Sequence, residues 1–198
     1  YDYSSQIETI SSLESESIVI APLKALLEKF PTREFLKENS ITLNLDDETD
    51  TVELAAKLTQ SGYKRAITVT DPGEFALRGD TVDIFAVGEN PVRIEFWGDT
   101  ITDLRLFNPE TQRSIGKITE FTILPMSKFL KNPETDETIL KNLKTSFPLL
   151  LKNFEDEEKD FFREKYEQIC SELASGADGE GKDYFEGFAG HSLKTLIE

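Results

Sequence analysis

The chain has 198 residues, 38% of them hydrophobic, which is enough for one sizeable domain or two small ones. Its formal net charge of −16 argues against direct binding to nucleic acid or to anionic membranes. An acidic chain is instead expected to be attracted to a basic patch on a protein partner. The single cysteine excludes an internal disulfide, which fits a reducing cytosol, and no apolar run approaches the ~20 residues of a transmembrane helix.

The first part of the chain predicts the end of an α/β domain. Residues 4–17 predict irregular structure or a short helix. The β-branched run at residues 17–22 predicts a buried parallel strand, and the apolar spacing of residues 23–30 predicts a helix. Residues 41–45 predict one more strand. A parallel strand needs neighbours, and the chain opens with Tyr rather than Met, so we expect a fragment of a longer protein.

The middle of the chain predicts one helix followed by a meander of short strands. Asp50 or Thr51 can cap the helix, and Gly62 lies just past its end. Residues 63–70 predict strand material. Residues 73–107 predict four strands separated by Gly-containing turns, and residues 117–125 predict a closing strand.

The third strand of this meander alternates in polarity. Its apolar side chains point one way, and Arg93, Glu95 and Trp97 point the other way. Alternation alone leaves two interpretations of Trp97 open. It is a core residue of a strand covered on both faces, or it is an exposed binding residue beside an arginine.

The last third of the chain predicts helices. Asn132 can cap a helix that has Pro133 at its first position and an apolar stripe that includes Ile139 and Leu143. Residues 155–174 predict a longer helix. Its apolar side chains fall near one face, which consists of Phe161, Phe162, Tyr166, Ile169, Cys170 and Leu173.

The residues alone predict no catalytic site. Gly176 to Lys182 matches the phosphate-binding pattern GxxxxGK, but Asp183 replaces the Ser or Thr that would hold magnesium, and the loop follows a helix rather than a strand. A surface loop is therefore the favoured interpretation. Cys170 on an apolar stripe predicts a buried structural thiol, His191 lies in a different element, and no zinc-ligand spacing occurs.

Three stretches carry a family resemblance: residues 73–80 (GEFALRGD), 82–85 (VDIF) and 91–99 (PVRIEFWGD). They resemble the UvrA-interaction domain shared by the excision-repair helicase UvrB and the bacterial transcription-repair coupling factors. Residues 107–114 (FNPETQRS) are more similar to the coupling factors, as are residues 123–125 followed by Phe129. Upstream, residues 18–22 resemble the end of the family's degenerate helicase-like first domain.

The resemblance implies an α+β fold in which a small antiparallel sheet is flanked by helices, as in the second domain of UvrB. That sheet would be attached to the end of a degenerate helicase-like α/β domain. The implied division is residues 1–48 for the end of the helicase-like domain, residues 49–130 for the UvrA-interaction domain, and residues 131–198 for a helical segment that leads into the next domain.

The resemblance also implies a function. The fragment would be a non-catalytic module, without a cofactor or metal of its own, that recruits UvrA to RNA polymerase stalled at a lesion in the bacterial cytoplasm. The ATP- and magnesium-dependent DNA translocase and the contacts with RNA polymerase and double-stranded DNA would lie elsewhere in the whole protein. Two alternatives are an equivalent fragment of UvrB and a nucleotide-binding enzyme fragment that uses Gly176 to Lys182.

The family's UvrA contacts correspond here to Arg78, Arg93, Glu95 and Trp97. The family usually has Phe at the position of Trp97 and often has Pro at the position of Ala86. The resemblance therefore favours an exposed Trp97. We expect the two arginines to make forked bonds to carboxylates of UvrA and Glu95 to hold Arg93 or to meet a basic residue of UvrA. Arg105 and Arg113 are expected to be solvated unless they fall on the same patch.

Overall fold

The computed structural model describes residues 3–13, 16, 18–20, 22–23, 25, 29–175, 188–189 and 193–194. The chain divides into two compact units: the first contains residues 1–127 and 194–198, and the second contains residues 128–193. The fold is α+β with small antiparallel sheets and helices, as the sequence predicts. The attachment to a helicase-like domain and the ranges of the three domains stay predictions.

Five helices and strands with described bounds open the first unit. In chain order they are α1 (Tyr3–Ser12), β1 (Phe30–Pro31), α2 (Arg33–Glu38), β2 (Ile41–Asn44) and α3 (Thr51–Gln60). Seven strands follow, which are β3 (Lys64–Arg65), β4 (Glu74–Arg78), β5 (Thr81–Ile84), β6 (Val92–Trp97), β7 (Thr100–Phe107), β8 (Ser114–Lys117) and β9 (Glu120–Ile123).

A six-stranded sheet dominates this unit, with the strands in the order β3-β4-β5-β6-β7-β8. β3 pairs with β4 in parallel, and each later strand is antiparallel to its neighbour. The four strands predicted within residues 73–107 are thereby confirmed as β4 to β7. Two of their hairpins turn on a glycine in the left-handed region, Gly79 (φ 57°) and Gly98 (φ 62°), each the first of two loop residues.

One face of the sheet forms the main core. Val92, Ile94 and Phe96 on β6 are buried there, together with Leu54 and Leu58 of α3. Asp50 caps α3, because its Oδ1 accepts hydrogen bonds from the backbone N–H groups of residues 52 (2.7 Å) and 53 (2.9 Å). The predicted helix and its cap are confirmed.

Three strand predictions differ from the structure. Residues 18–20 lie in no strand, and Ile18 and Ile20 are exposed, so a buried strand at residues 17–22 is wrong for the described part of that run. Residues 66–70 are not strand, because only Lys64–Arg65 pairs with β4. The closing strand exists as β9, but it leaves the meander and pairs antiparallel with β2.

The second unit is helical in its described part. It contains α4 (Pro133–Leu150), a 3₁₀ helix (Leu151–Asn153) and α5 (Asp156–Ser175). Asn132 caps α4, since its side-chain oxygen accepts from the N–H of Thr135 at 2.9 Å. The cap and both helices are therefore confirmed.

The second unit has its own core, which includes Ile139, Leu143 and Leu173. Phe161 is exposed, so its assignment to the apolar face of α5 is wrong. The last described element of the chain is the short strand β10 (Leu193–Lys194). Among the described residues, no helix combines the length and the apolarity that a membrane span requires.

Candidate functional site

The face of the six-stranded sheet opposite the main core carries a connected set of charged side chains. Asp83 lies directly opposite Arg93, Arg93 opposite Arg105, and Arg105 opposite Lys117. Directly opposite residues share a face of an antiparallel sheet. We name this surface the docking face and define it by Arg78, Asp83, Arg93, Glu95, Trp97, Asp103, Arg105 and Lys117.

Asp83 holds two of the arginines on this face. Its carboxylate is fully buried, and it accepts hydrogen bonds from Arg93 Nε to Oδ1 (2.7 Å) and from Arg93 Nη2 to Oδ2 (2.9 Å). Arg78 Nη2 donates to the same Oδ2 atom. The hydrogen bonds to Asp83 raise the pKa of Arg93 above its ordinary value. Both guanidinium groups are therefore held by one buried carboxylate.

Arg93 also contacts Phe107, the last residue of β7. Its guanidinium carbon lies 5.0 Å from the centre of the Phe107 ring, a cation–π contact. Phe107 is buried with Val69 and Ala76 in a small cluster on this face. Gln112 closes the cluster, because its side-chain amide donates to the carbonyl oxygen of Val69 at 3.0 Å. This end of the docking face is covered by the chain's own loops.

A second ion-pair network lies on β6, β7 and β8. Glu95 accepts a hydrogen bond from Arg105 Nη2, and Arg105 Nε lies 2.7 Å from Asp103 Oδ2. Lys117 Nζ lies 2.8 Å from the other oxygen of Asp103. The partners come from three strands, so the network ties β6 to β8 across β7.

Trp97 lies at the end of β6 and is 83% exposed. Its direct cross-strand neighbour is Thr100, the first residue of β7. The expectation of an exposed Trp97 is confirmed, and the core interpretation is wrong. A large ring in water, two residues along the strand from the ion-paired Glu95, is typical of a residue that becomes buried on association.

The structure brings all four predicted contact residues to one face but pairs them differently from the expectation. Glu95 does not hold Arg93. It bonds to Arg105, and Asp83 occupies the Nε–Nη2 edge of Arg93. Arg105 therefore belongs to the docking face, while Arg113 is exposed outside the strands. That these residues contact a partner stays a proposal.

Sequence reasoning missed Asp83, Asp103 and Lys117. A signal for Asp83 exists, because it is the one charged residue between the apolar Val82 and Ile84 of a short strand. Alternation places it on the face opposite those neighbours. No local pattern indicates which cation it meets.

The loop from Gly176 to Lys182, Asp183 and His191 lie outside the described residues. Cys170 is half-buried on α5 rather than fully buried. Within the part of the chain that the structure describes, no group of three or more His, Cys, Asp or Glu side chains could hold a metal ion.

Comparison with known proteins identifies the same part of the chain. Residues 41–129 match the family described as the UvrB interaction domain. The chain is 30% identical over 161 residues to a transcription-repair-coupling factor of Bacillus subtilis, covering 80% of this chain and 14% of the relative. It is 34% identical over 134 residues to one of Borreliella burgdorferi, covering 67% of this chain and 12% of the relative. The resemblance indicated by the sequence is confirmed, and the chain spans about a seventh of the length of these relatives.

Proposed function

We propose that the chain is a non-catalytic protein-interaction module that binds UvrA, because residues 41–129 match the UvrB interaction domain family. In the whole protein this module would recruit UvrA to RNA polymerase stalled at a lesion in the bacterial cytoplasm, for nucleotide excision repair. ATP-driven translocation and the contacts with RNA polymerase and DNA would belong to other parts of that protein. The relatives above are coupling factors, which supports this origin over a fragment of UvrB.

One observation carries the proposal: an exposed tryptophan shares a sheet face with two ion-pair networks inside the segment that matches the family. The charged residues of this face are four cations and three carboxylates, which leaves one net positive charge. The whole chain carries −16. The docking face is therefore the part of an acidic chain that suits a partner carboxylate.

Arg78 is the arginine best placed to meet that carboxylate. Its side chain is 48% exposed, and a single nitrogen, Nη2, bonds to Asp83. Arg93 is 22% exposed and has two nitrogens on Asp83. We therefore assign the forked bond to UvrA to Arg78, and the support of that arrangement to Arg93.

Trp97 supplies the apolar part of the contact. Burial of its ring in a recess of UvrA removes a large apolar surface from water, and truncation of such a residue costs ~2 kcal/mol or more of binding free energy. The ion-paired residues on the same face would set the orientation of the chain on UvrA, because charged groups at an interface govern specificity more than affinity.

The test is a titration of UvrA with the 198-residue chain by calorimetry. Trp97→Ala is expected to weaken binding about thirtyfold, since it removes the central apolar contact. Val52→Ala is the matched control, because Val52 is an exposed apolar residue of α3 and lies outside the six-stranded sheet.

The control is expected to bind UvrA as the unchanged chain does. Circular dichroism of both variants should match that of the unchanged chain, because neither side chain lies in the core. Equal affinity of Trp97→Ala and Val52→Ala would contradict the assignment of the docking face. No binding by the unchanged chain would contradict the function itself.

A further inference from the structure

Asp83 is a fully buried carboxylate on a sheet face whose other charged groups reach water. Burial of an ionised carboxylate is costly unless hydrogen bonds replace its hydration. Three hydrogen bonds from Arg78 and Arg93 replace it here. The carboxylate is thus committed to these two arginines rather than to solvent.

An apolar side chain would be easier to bury at this position. Ala76 lies directly opposite Asp83 on β4, and Phe85 follows two residues after Asp83, just past the end of β5. Both belong to the small buried cluster around Phe107 or pack against it. The surroundings on that side are apolar, so packing alone gives no reason for a carboxylate.

The consequence of the carboxylate is order in two long side chains. Arginine has many rotamers, and an interface that immobilises it loses that freedom on binding. Arg93 is already fixed at both Nε and Nη2, and Arg78 is fixed at Nη2. The conformational entropy of these two side chains is therefore lost when the chain folds and not when it binds its partner.

We propose that Asp83 is a positioning residue that orders Arg78 and Arg93 for the partner. It does not touch the partner itself. This inference rests on the proposed UvrA binding, and it adds a residue that the sequence resemblance did not assign. A fully buried residue would thus contribute to the affinity for the partner without contacting it.

A double-mutant cycle tests the proposal, again by calorimetry with UvrA. Asp83→Asn keeps the shape of the side chain but lacks the charge and cannot accept all three bonds, and it is expected to weaken binding about tenfold. In a chain that already carries Arg78→Ala and Arg93→Ala, the same change is expected to alter affinity less than twofold. A merely structural role would give the same loss in both backgrounds, which would overturn the proposal.

Asp80→Asn is the matched charge control. Asp80 is exposed in the hairpin turn just after Arg78, so its replacement changes the net charge equally and leaves the bonds of Asp83 in place. Its affinity should equal that of the unchanged chain. Equal affinities of Asp83→Asn and Asp80→Asn would overturn the proposal.

Arg93→Lys provides a second variant that leaves Asp83 in place. Lysine keeps the charge but cannot span both carboxylate oxygens with two parallel bonds. A loss of about tenfold is expected, and unchanged affinity would overturn the proposal. If the unchanged chain binds UvrA and these variants bind equally well, this inference alone fails. If the unchanged chain does not bind, the proposed function fails and takes the inference with it.

Discussion

The two faces of β6 are made from alternate residues of one six-residue strand, yet different forces hold them. Val92, Ile94 and Phe96 are buried in an apolar core, where removal from water is the stabilising term. Arg93 and Glu95 on the other face are held by ion pairs to neighbouring strands. The pair of the partly exposed Glu95 and Arg105 adds little to stability. The comparison therefore separates a face that keeps the sheet folded from a face that is available for a partner.

The substitution with the largest expected effect on stability is Ile94→Ala on the core face of β6. Ile94 is fully buried opposite Val82 and Leu104, so the change leaves a cavity and is expected to lower the free energy of unfolding by about 3 kcal/mol. Urea denaturation measures the effect. Trp97→Ala is the control from the other face, and its effect should stay within about 0.5 kcal/mol. Equal losses for the two variants would break the comparison.

A smaller test is Lys117→Ala at the edge of the docking face. Lys117 is 76% exposed and pairs with Asp103, so its removal is expected to lower the free energy of unfolding by about 0.5 kcal/mol at low salt. The difference should vanish at high salt, because exposed charges are screened. Urea denaturation at two salt concentrations measures it. A loss that persists unchanged in 1 M salt would show that packing, not charge, is responsible.

The smallest expected effect is a change in acid stability through Glu74. Its Oε2 atom accepts hydrogen bonds from the backbone N–H groups of Thr70 (2.9 Å) and Asp71 (3.1 Å). The bond from Thr70 is the main cause that lowers the pKa of Glu74 below its ordinary value of 4.5. A carboxyl whose pKa is lowered on folding stabilises the fold above its unfolded pKa, and this stabilisation is lost as pH falls through the folded pKa.

Glu74→Gln is therefore expected to be less stable than the unchanged chain above pH 4.5 and to approach it in stability at lower pH. Thermal unfolding between pH 3 and pH 7 measures the difference, with Glu110→Gln as an exposed control. A difference between the two chains that grows as pH falls would contradict the assignment. The expected loss is below about 0.5 kcal/mol, because the group is near the surface.

Local signals predicted local features well. The caps Asp50 and Asn132 and the Gly-containing turns at Gly79 and Gly98 all mark element ends that the structure confirms. Each depends on one residue and its neighbours in the chain, so nothing distant can change it. The β-branched residues 18–20 failed as a strand, because a strand exists only where a partner strand pairs with it.

The sequence by itself determined which side chains of β6 share a face, because the period of a strand is two and the flanking turns fix its ends. It thereby placed Arg93, Glu95 and Trp97 together. Only the tertiary structure decided their partners, since Asp83 and Arg105 lie on other strands and meet β6 through the register of the sheet. Register depends on two hairpins and a bulge after Glu95, and for that reason the pattern of a single strand could not reveal that Arg93 is held by Asp83 and Glu95 by Arg105.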